Sequence, residues 1–184
     1  SCTRRNAALL SLPGQVLSFS YVASGVILPR CFLPQNGLKD GVTMFSQLSP
    51  QLRQRADRLL SGQYDRLAAH YVYPLPLYLG PSRLIVRSPD EAVSMLCLLR
   101  AAYLERGVIA LQPRVTAVDL PRDGRFRVWV DWHELAIPAE QSRQSSVIYY
   151  CRTSGPGLRV EMVQYTRLSM PELSPHFASL ALSA

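Results

Sequence analysis

The residues best suited to proton chemistry stand close together between positions 131 and 149. Asp131 and His133 are two apart, and a carboxylate beside an imidazole that titrates near neutrality is an acid/base pairing. Trp132 and Glu134 interleave with them. Successive side chains of a strand point to opposite faces, so Asp131 and His133 share one face and Trp132 and Glu134 the other. Phe126, Val128 and Val130 lie on the Trp132 face, which is therefore expected to turn toward a core. A glutamate held there has its pKa raised by desolvation, which makes Glu134 a candidate general base. Asp131 and His133 are expected to point outward, as a polar pair.

The same alternation sorts two further stretches. Val147, Tyr149 and Cys151 are read as inward, and Ile148, Tyr150 and Arg152 as outward. On the last strand Leu158, Val160, Met162 and Gln164 are read as inward, opposite Arg159, Glu161, Val163, Tyr165 and Arg167. A one-residue slip or a bulge would invert any of these assignments. The inward polar set is then Trp132, Glu134, Tyr149 and Gln164, joined from the helix side by Tyr64, His70 and Tyr71. A few convergent polar groups in an apolar cavity are the make-up of a small-ligand site, with Tyr149 as a hydrogen-bond donor. The outward set of Trp129, Ile148, Tyr150, Val163 and Tyr165 forms an aromatic patch too apolar to leave fully wet. A sheet-to-sheet homodimer, or another protein partner, is what such a patch fits.

Other chemistries are disfavoured. The chain has no Walker A loop, no GxGxxG after a strand, no HExxH and no GxSxG. His70, His133 and His176 lack ligand spacing, so neither a metal site nor a cofactor is expected. The net charge of +7 raises the question of nucleic acid. Arg127, Arg152, Arg159 and Arg167 beside Tyr150 and Trp129 could bind phosphate and stack bases, but Asp131 and Glu161 interrupt them and no basic run is present. Hydrophobic content of 48% with 18% charged residues describes a globular chain, and no apolar run is long enough to span a membrane. Cys2, Cys31, Cys97 and Cys151 are far apart and form no CxxC, so buried free thiols and a reducing, cytoplasmic compartment are expected.

The elements that must position these residues can be placed in outline. Residues 1–48 carry few charges and no sustained period, and are read as a loosely ordered extension. The order Arg4-Arg5, an apolar stretch, then Val22-Ala23-Ser24 is the competing pattern of a secretory signal, interrupted by Pro13 and Gly14. Ser49-Pro50 is read as a helix start, with Leu52, Ala56, Leu59 and Leu60 on one face and Arg53, Arg55 and Arg58 on the other. Tyr71 to Leu79 holds two prolines and is read as an edge strand or irregular arm. Ser88-Pro89-Asp90-Glu91 supplies an N-cap, a proline at the first helical position and a capping-box glutamate. Met95, Leu96, Leu99, Ala102 and Tyr103 form the stripe of the following helix, which Gly107 closes. Strands over 83–86 and 114–118 and the long hairpins follow, and residues 171–184 are read as a tail that wraps or frays.

Helices, short strands, one long helix and several long antiparallel strands make an α+β plan, with the helices covering one face of a strongly curved sheet. From Ser49 to Arg167 the chain resembles the nuclear transport factor 2-like (NTF2-like, SnoaL-like, cystatin-like fold) superfamily. The resemblance rests on residues 59–70, on the capped helix at Ser88 and on the final paired strands. It implies a cone-shaped domain over residues 49–170, helices on the concave face of the sheet, and commonly a homodimer. That superfamily includes isomerases, cyclases, dehydratases, ligand binders and protein-binding modules, so fold alone does not decide chemistry. The expectation is a small-ligand-binding, non-catalytic homodimer. The alternatives are a cofactor-free isomerase, dehydratase or cyclase acting on a small apolar substrate, and a protein-interaction module.

Overall fold

In a computed structural model, residues 36–154 and 157–182 are described. They fall within the compact unit that runs from Pro34 to Ala184. The extension up to residue 35, the signal-like stretch, Cys2 and Cys31 lie outside the described residues.

The first helix, α1, spans Asn36–Leu60 and runs straight through Pro50. Ser49-Pro50 is therefore not its start, which corrects the sequence reading. Proline removes one backbone donor and disfavours a helix interior. Here Leu48, Leu52, Ala56 and Leu59 continue one buried stripe across it, and packing of that stripe against the sheet overrides the local preference. A short helix, α2 (Tyr64–Ala68), leads to strands β1 (Leu75–Leu79) and β2 (Ser82–Val86). Helix α3 (Pro89–Glu105) starts as expected, with the Ser88 hydroxyl accepting from the Glu91 amide at 3.2 Å. The Glu91 carboxylate in turn accepts from the Arg87 amide at 2.7 Å, so both ends of the cap are occupied.

Four strands follow: β3 (Val108–Val118), β4 (Arg125–Ala136), β5 (Gln144–Ser154) and β6 (Gly157–Arg167). They join the first two in one six-stranded sheet of order β2-β1-β6-β5-β4-β3. The strand expected over 114–118 is longer and begins at Val108; Pro113 is tolerated there because β3 is an edge. The arm expected at an edge over 71–79 lies inside the sheet instead. Strand β1 pairs with β2 on one side and, in parallel, with β6 on the other. The pairing to β6 is confined to Leu77, Tyr78 and Leu79, beyond Pro76, so the proline is spared that ladder.

The sheet is curved and unclosed, with helices on its concave face. Helix α1 packs on β3, and α3 touches both β2 and β3, the two ends of the strand order. The segment expected to wrap or fray forms a 3-10 turn at Pro171–Leu173 and a helix α4 (Ser174–Leu182). Met170, Leu173 and Phe177 are buried, with α4 against α3 and β2.

Along β4 the alternation is as expected, with Phe126, Val128, Val130, Trp132, Glu134 and Ala136 buried. Along β6 it is not. Tyr150 stands opposite Met162 while Cys151 stands opposite Val160, so Glu161 is an extra residue, a bulge. A second shift skips Thr166, between Arg167 opposite Ser146 and Tyr165 opposite Val147. Between the bulges the parity is inverted: Val163 and Tyr165 turn inward with Tyr149 and Val147, whereas Met162 and Gln164 turn outward with Tyr150 and Ile148. The inward assignment of Met162 and Gln164 and the outward assignment of Val163 and Tyr165 are both corrected by this bulge.

Helix α3 ends against the end of β4. Gly107 has φ +67°, and a Cβ built there would lie 2.3 Å from the carbonyl oxygen of Ile137, whose amide donates to the Gly107 carbonyl at 2.9 Å. A left-handed backbone and a contact with main chain both demand glycine. Gly107→Ala is expected to lower unfolding free energy by roughly 2–3 kcal/mol, read as a lower urea midpoint at unchanged slope.

Candidate functional site

Two adjoining chambers lie between the helices and the concave face, each of about 80 Å³. Tyr71, Leu96, Leu99, Tyr149 and Tyr165 belong to the walls of both. One chamber extends past Met95 and Val163 to Phe177 of α4. The other extends past Leu59 and Leu111 to Trp132, Ser145 and Arg55.

The polar groups concentrate in the second chamber. Trp132 Nε1 donates to the Tyr149 hydroxyl at 3.0 Å, a bond made possible because β4 and β5 both present buried positions there. Burial pushes the Tyr149 phenol up to about 12, against the opposing pull of the Arg55 cation. Burial also raises the Tyr165 phenol and, next to it on α3, Tyr103. All three are neutral hydrogen-bonding phenols near pH 7. The Cys151 thiol, pushed to about 12 by burial, is equally protonated and no nucleophile.

Arg55 is the cation of this site. Its Nη2 donates to the Tyr71 hydroxyl at 2.9 Å, and its guanidinium carbon stands 5.1 Å from the Tyr71 ring centroid and 5.7 Å from that of Tyr149. No carboxylate pairs with it among the described residues. The sequence reading placed Arg55 on the polar face of its helix with Arg53 and Arg58, and the structure corrects this. The signal was present: Arg55 is three residues after Leu52 and four before Leu59, the spacing of the buried stripe itself.

Of the seven residues read as ligand-binding candidates, Tyr71, Trp132 and Tyr149 come together in the chambers. Glu134 faces inward and is 1% exposed, yet it lines neither chamber. Its Oε2 lies 2.7 Å from Arg106 Nη2, which also donates to the Gln141 carbonyl at 2.9 Å. The contact is an ion pair by distance, and Glu134 Oε1 and Arg106 Nη1 find no hydrogen-bond partner among the described residues. Tyr64 sits at the start of α2 beside Gly62 and Arg100. His70 leaves the chambers for Arg58, whose Nη1 is 2.9 Å from its Nε2; since arginine only donates, Nε2 is the unprotonated nitrogen. Burial, followed by the Arg55 and Arg58 charges, lowers the His70 pKa and keeps the ring neutral. Gln164, on the outer face, accepts from the Tyr150 hydroxyl at 3.0 Å.

On that outer face Asp131 and His133 alternate with buried neighbours, as expected. Asp131 accepts from the Ser146 hydroxyl at 2.7 Å. Trp129, Ile148 and Tyr150 are there too, half-buried, while Val163 and Tyr165 are not, having turned into the chambers. Arg127 stacks on Trp129 at 4.9 Å and pairs with Asp119. The exposed Cys97 corrects the expectation of a buried thiol. Among the described residues, no cluster of three or more His, Cys, Asp or Glu could hold a metal ion, and no helix is long and apolar enough to cross a membrane.

No protein-family model matches the sequence, and no curated protein matches it. Solved structures do. An NTF2-like protein with a cystatin-like fold from Novosphingobium aromaticivorans is similar with a TM-score of 0.57 at 11% identity, over 81% of this chain and 97% of that one. A protein from Catenulispora acidiphila is similar with a TM-score of 0.54 at 10% identity, over 70% and 94% of the two chains. A provisionally named scytalone dehydratase from Novosphingobium aromaticivorans gives 0.51 at 8% identity, over 71% and 88%. Such identities speak for the fold alone, and the fold is NTF2-like.

The Arg106–Glu134 pair can be tested apart from any ligand. Arg106→Met strands a carboxylate in the core and is expected to cost about 3–5 kcal/mol in urea unfolding, whereas Arg106→Met combined with Glu134→Leu recovers most of it.

Proposed function

We propose that this NTF2-like chain is a small-ligand-binding module, acting as a homodimer, whose concave-side chambers hold a compact, largely apolar molecule. One observation carries the reading: Arg55, Tyr71, Trp132 and Tyr149 converge on walls that are otherwise mostly aliphatic and aromatic. Each chamber, at about 80 Å³, has about half the volume of the cavity of about 150 Å³ that accommodates a benzene ring, so a single ring or a short branched chain is the largest body the two could hold between them. The acid/base alternative named Glu134 as base and Tyr149 as donor. Glu134 is engaged by Arg106 outside the chambers, so that alternative has lost its base while the binding reading keeps Tyr149. Two free thiols at Cys97 and Cys151 accord with the reducing cytoplasm in which we place the protein.

Fluorobenzene, observed by fluorine NMR with the full chain, is expected to show saturable binding. Leu99→Phe, which puts a ring into the space both chambers share, is expected to weaken that binding at least about tenfold. Absence of saturable binding to the unsubstituted protein overturns the reading.

A second reading concerns the outer face, where Trp129, Ile148 and Tyr150, now joined by Met162, are only half-buried. We assign this patch to a second copy of the chain, an isologous pairing in which each residue of the patch meets its own equivalent or a neighbour. Trp129→Lys is expected to convert a dimer to a monomer by sedimentation velocity at a concentration where the parent is dimeric.

A further inference from the structure

We propose that the ligand of the chambers is a small organic acid, its carboxylate seated on Arg55 and the Tyr71 hydroxyl and its apolar body directed toward Leu96 and Leu99. The proposal rests on the binding reading above and adds the charge of what is bound.

A cation among tyrosine rings and aliphatic side chains has lost much of its hydration, and the usual remedy is a carboxylate from the same chain. Arg106 shows that remedy, with Glu134 at 2.7 Å. Arg55 does not. Its hydrogen bond is to a neutral phenol, its ring contacts are cation–π, and no Asp or Glu pairs with it among the described residues. Of five guanidinium N–H groups, one has an acceptor among the described residues, which leaves the edge needed for a bidentate carboxylate. The same chamber holds an apolar wall within one side-chain length, at Leu96 and Leu99. A charged head and a compact apolar body are therefore matched at one place. The room is too small for a phosphorylated nucleoside or an extended chain, which limits the class to acids of about benzoate size.

The test uses the full chain and three probes of one size: benzoate, benzyl alcohol and fluorobenzene. Titration calorimetry at pH 7 is expected to find benzoate at least about tenfold tighter than benzyl alcohol, since a hydrogen-bonded charge pair in a desolvated site is worth that much. Arg55→Gln is expected to bring benzoate down to the level of the alcohol, and Arg55→Lys to retain part of the preference. Circular dichroism and a cooperative urea transition report that each variant is folded. Equal affinity of the unsubstituted protein for benzoate and benzyl alcohol, with fluorobenzene still bound, overturns the assignment of charge and leaves the binding reading standing. Failure of all three probes to bind overturns both. Persistence of the benzoate preference in Arg55→Gln overturns the role of Arg55.

Discussion

One continuous apolar face has to be hidden, and α1, α3 and α4 share the hiding of it. The strand order sets β2 and β3 at opposite ends of the sheet, and α3 touches both. A helix fixed at its start by Ser88 and at its end by the Gly107–Ile137 contact cannot sink further into the concave side. With α1 on β3 and α4 on β2, that leaves space enclosed above the middle strands β4, β5 and β6. The chambers are thus a by-product of how a curved sheet is roofed by straight rods, and their walls are drawn from whichever residues face inward there.

Two arginines meet apolar surroundings in this fold in opposite ways. Arg106, just past the end of α3, is paired with Glu134 at 2.7 Å, and the pair lines neither chamber. Arg55, in mid-helix on α1, lies over two tyrosine rings. The first arrangement consumes its own charge; the second leaves a positive charge facing a cavity whose Tyr149 and Tyr165 phenols are kept protonated by burial. Among the described residues lining that chamber Arg55 is the only Asp, Glu, Lys or Arg, so the formal charge of the site rests on one group.

Much of the fold was legible in the sequence because its strongest signals are local. The cap at Ser88, the closing glycine of α3 and the period of two along β4 each depend on a few neighbouring residues, and each is found in place. What escaped was decided at longer range. Pro50 reads as a helix start until the stripe of Leu48, Leu52 and Ala56 is packed on β3. Residues 75–79 read as an edge until β6 arrives beside them. Arg55 reads as surface because charge outweighs spacing in a pattern search, although its spacing is that of the core. The candidate site was therefore half visible. Trp132 and Tyr149 are where alternation puts them and Tyr71 enters from the helix side, while His70 and Gln164 are tied elsewhere, Tyr64 lines neither chamber and Tyr165 was assigned to the wrong side.

The bulge at Glu161 carries a consequence for how this chain can vary. Val160 and Met162 stand opposite the consecutive residues Cys151 and Tyr150, so Glu161 is the residue of β6 there with no opposite number on β5. Exchanging Glu161 for another amino acid alters a surface ion pair with Arg125 and Arg152. Deleting it would close the bulge into a regular ladder, with Val160 opposite Cys151 and Met162 opposite Tyr150, so that Val163 and Tyr165 would still face the interior. At this point in the chain the pairing absorbs a deletion, whereas one more inserted residue has to find a bulge of its own.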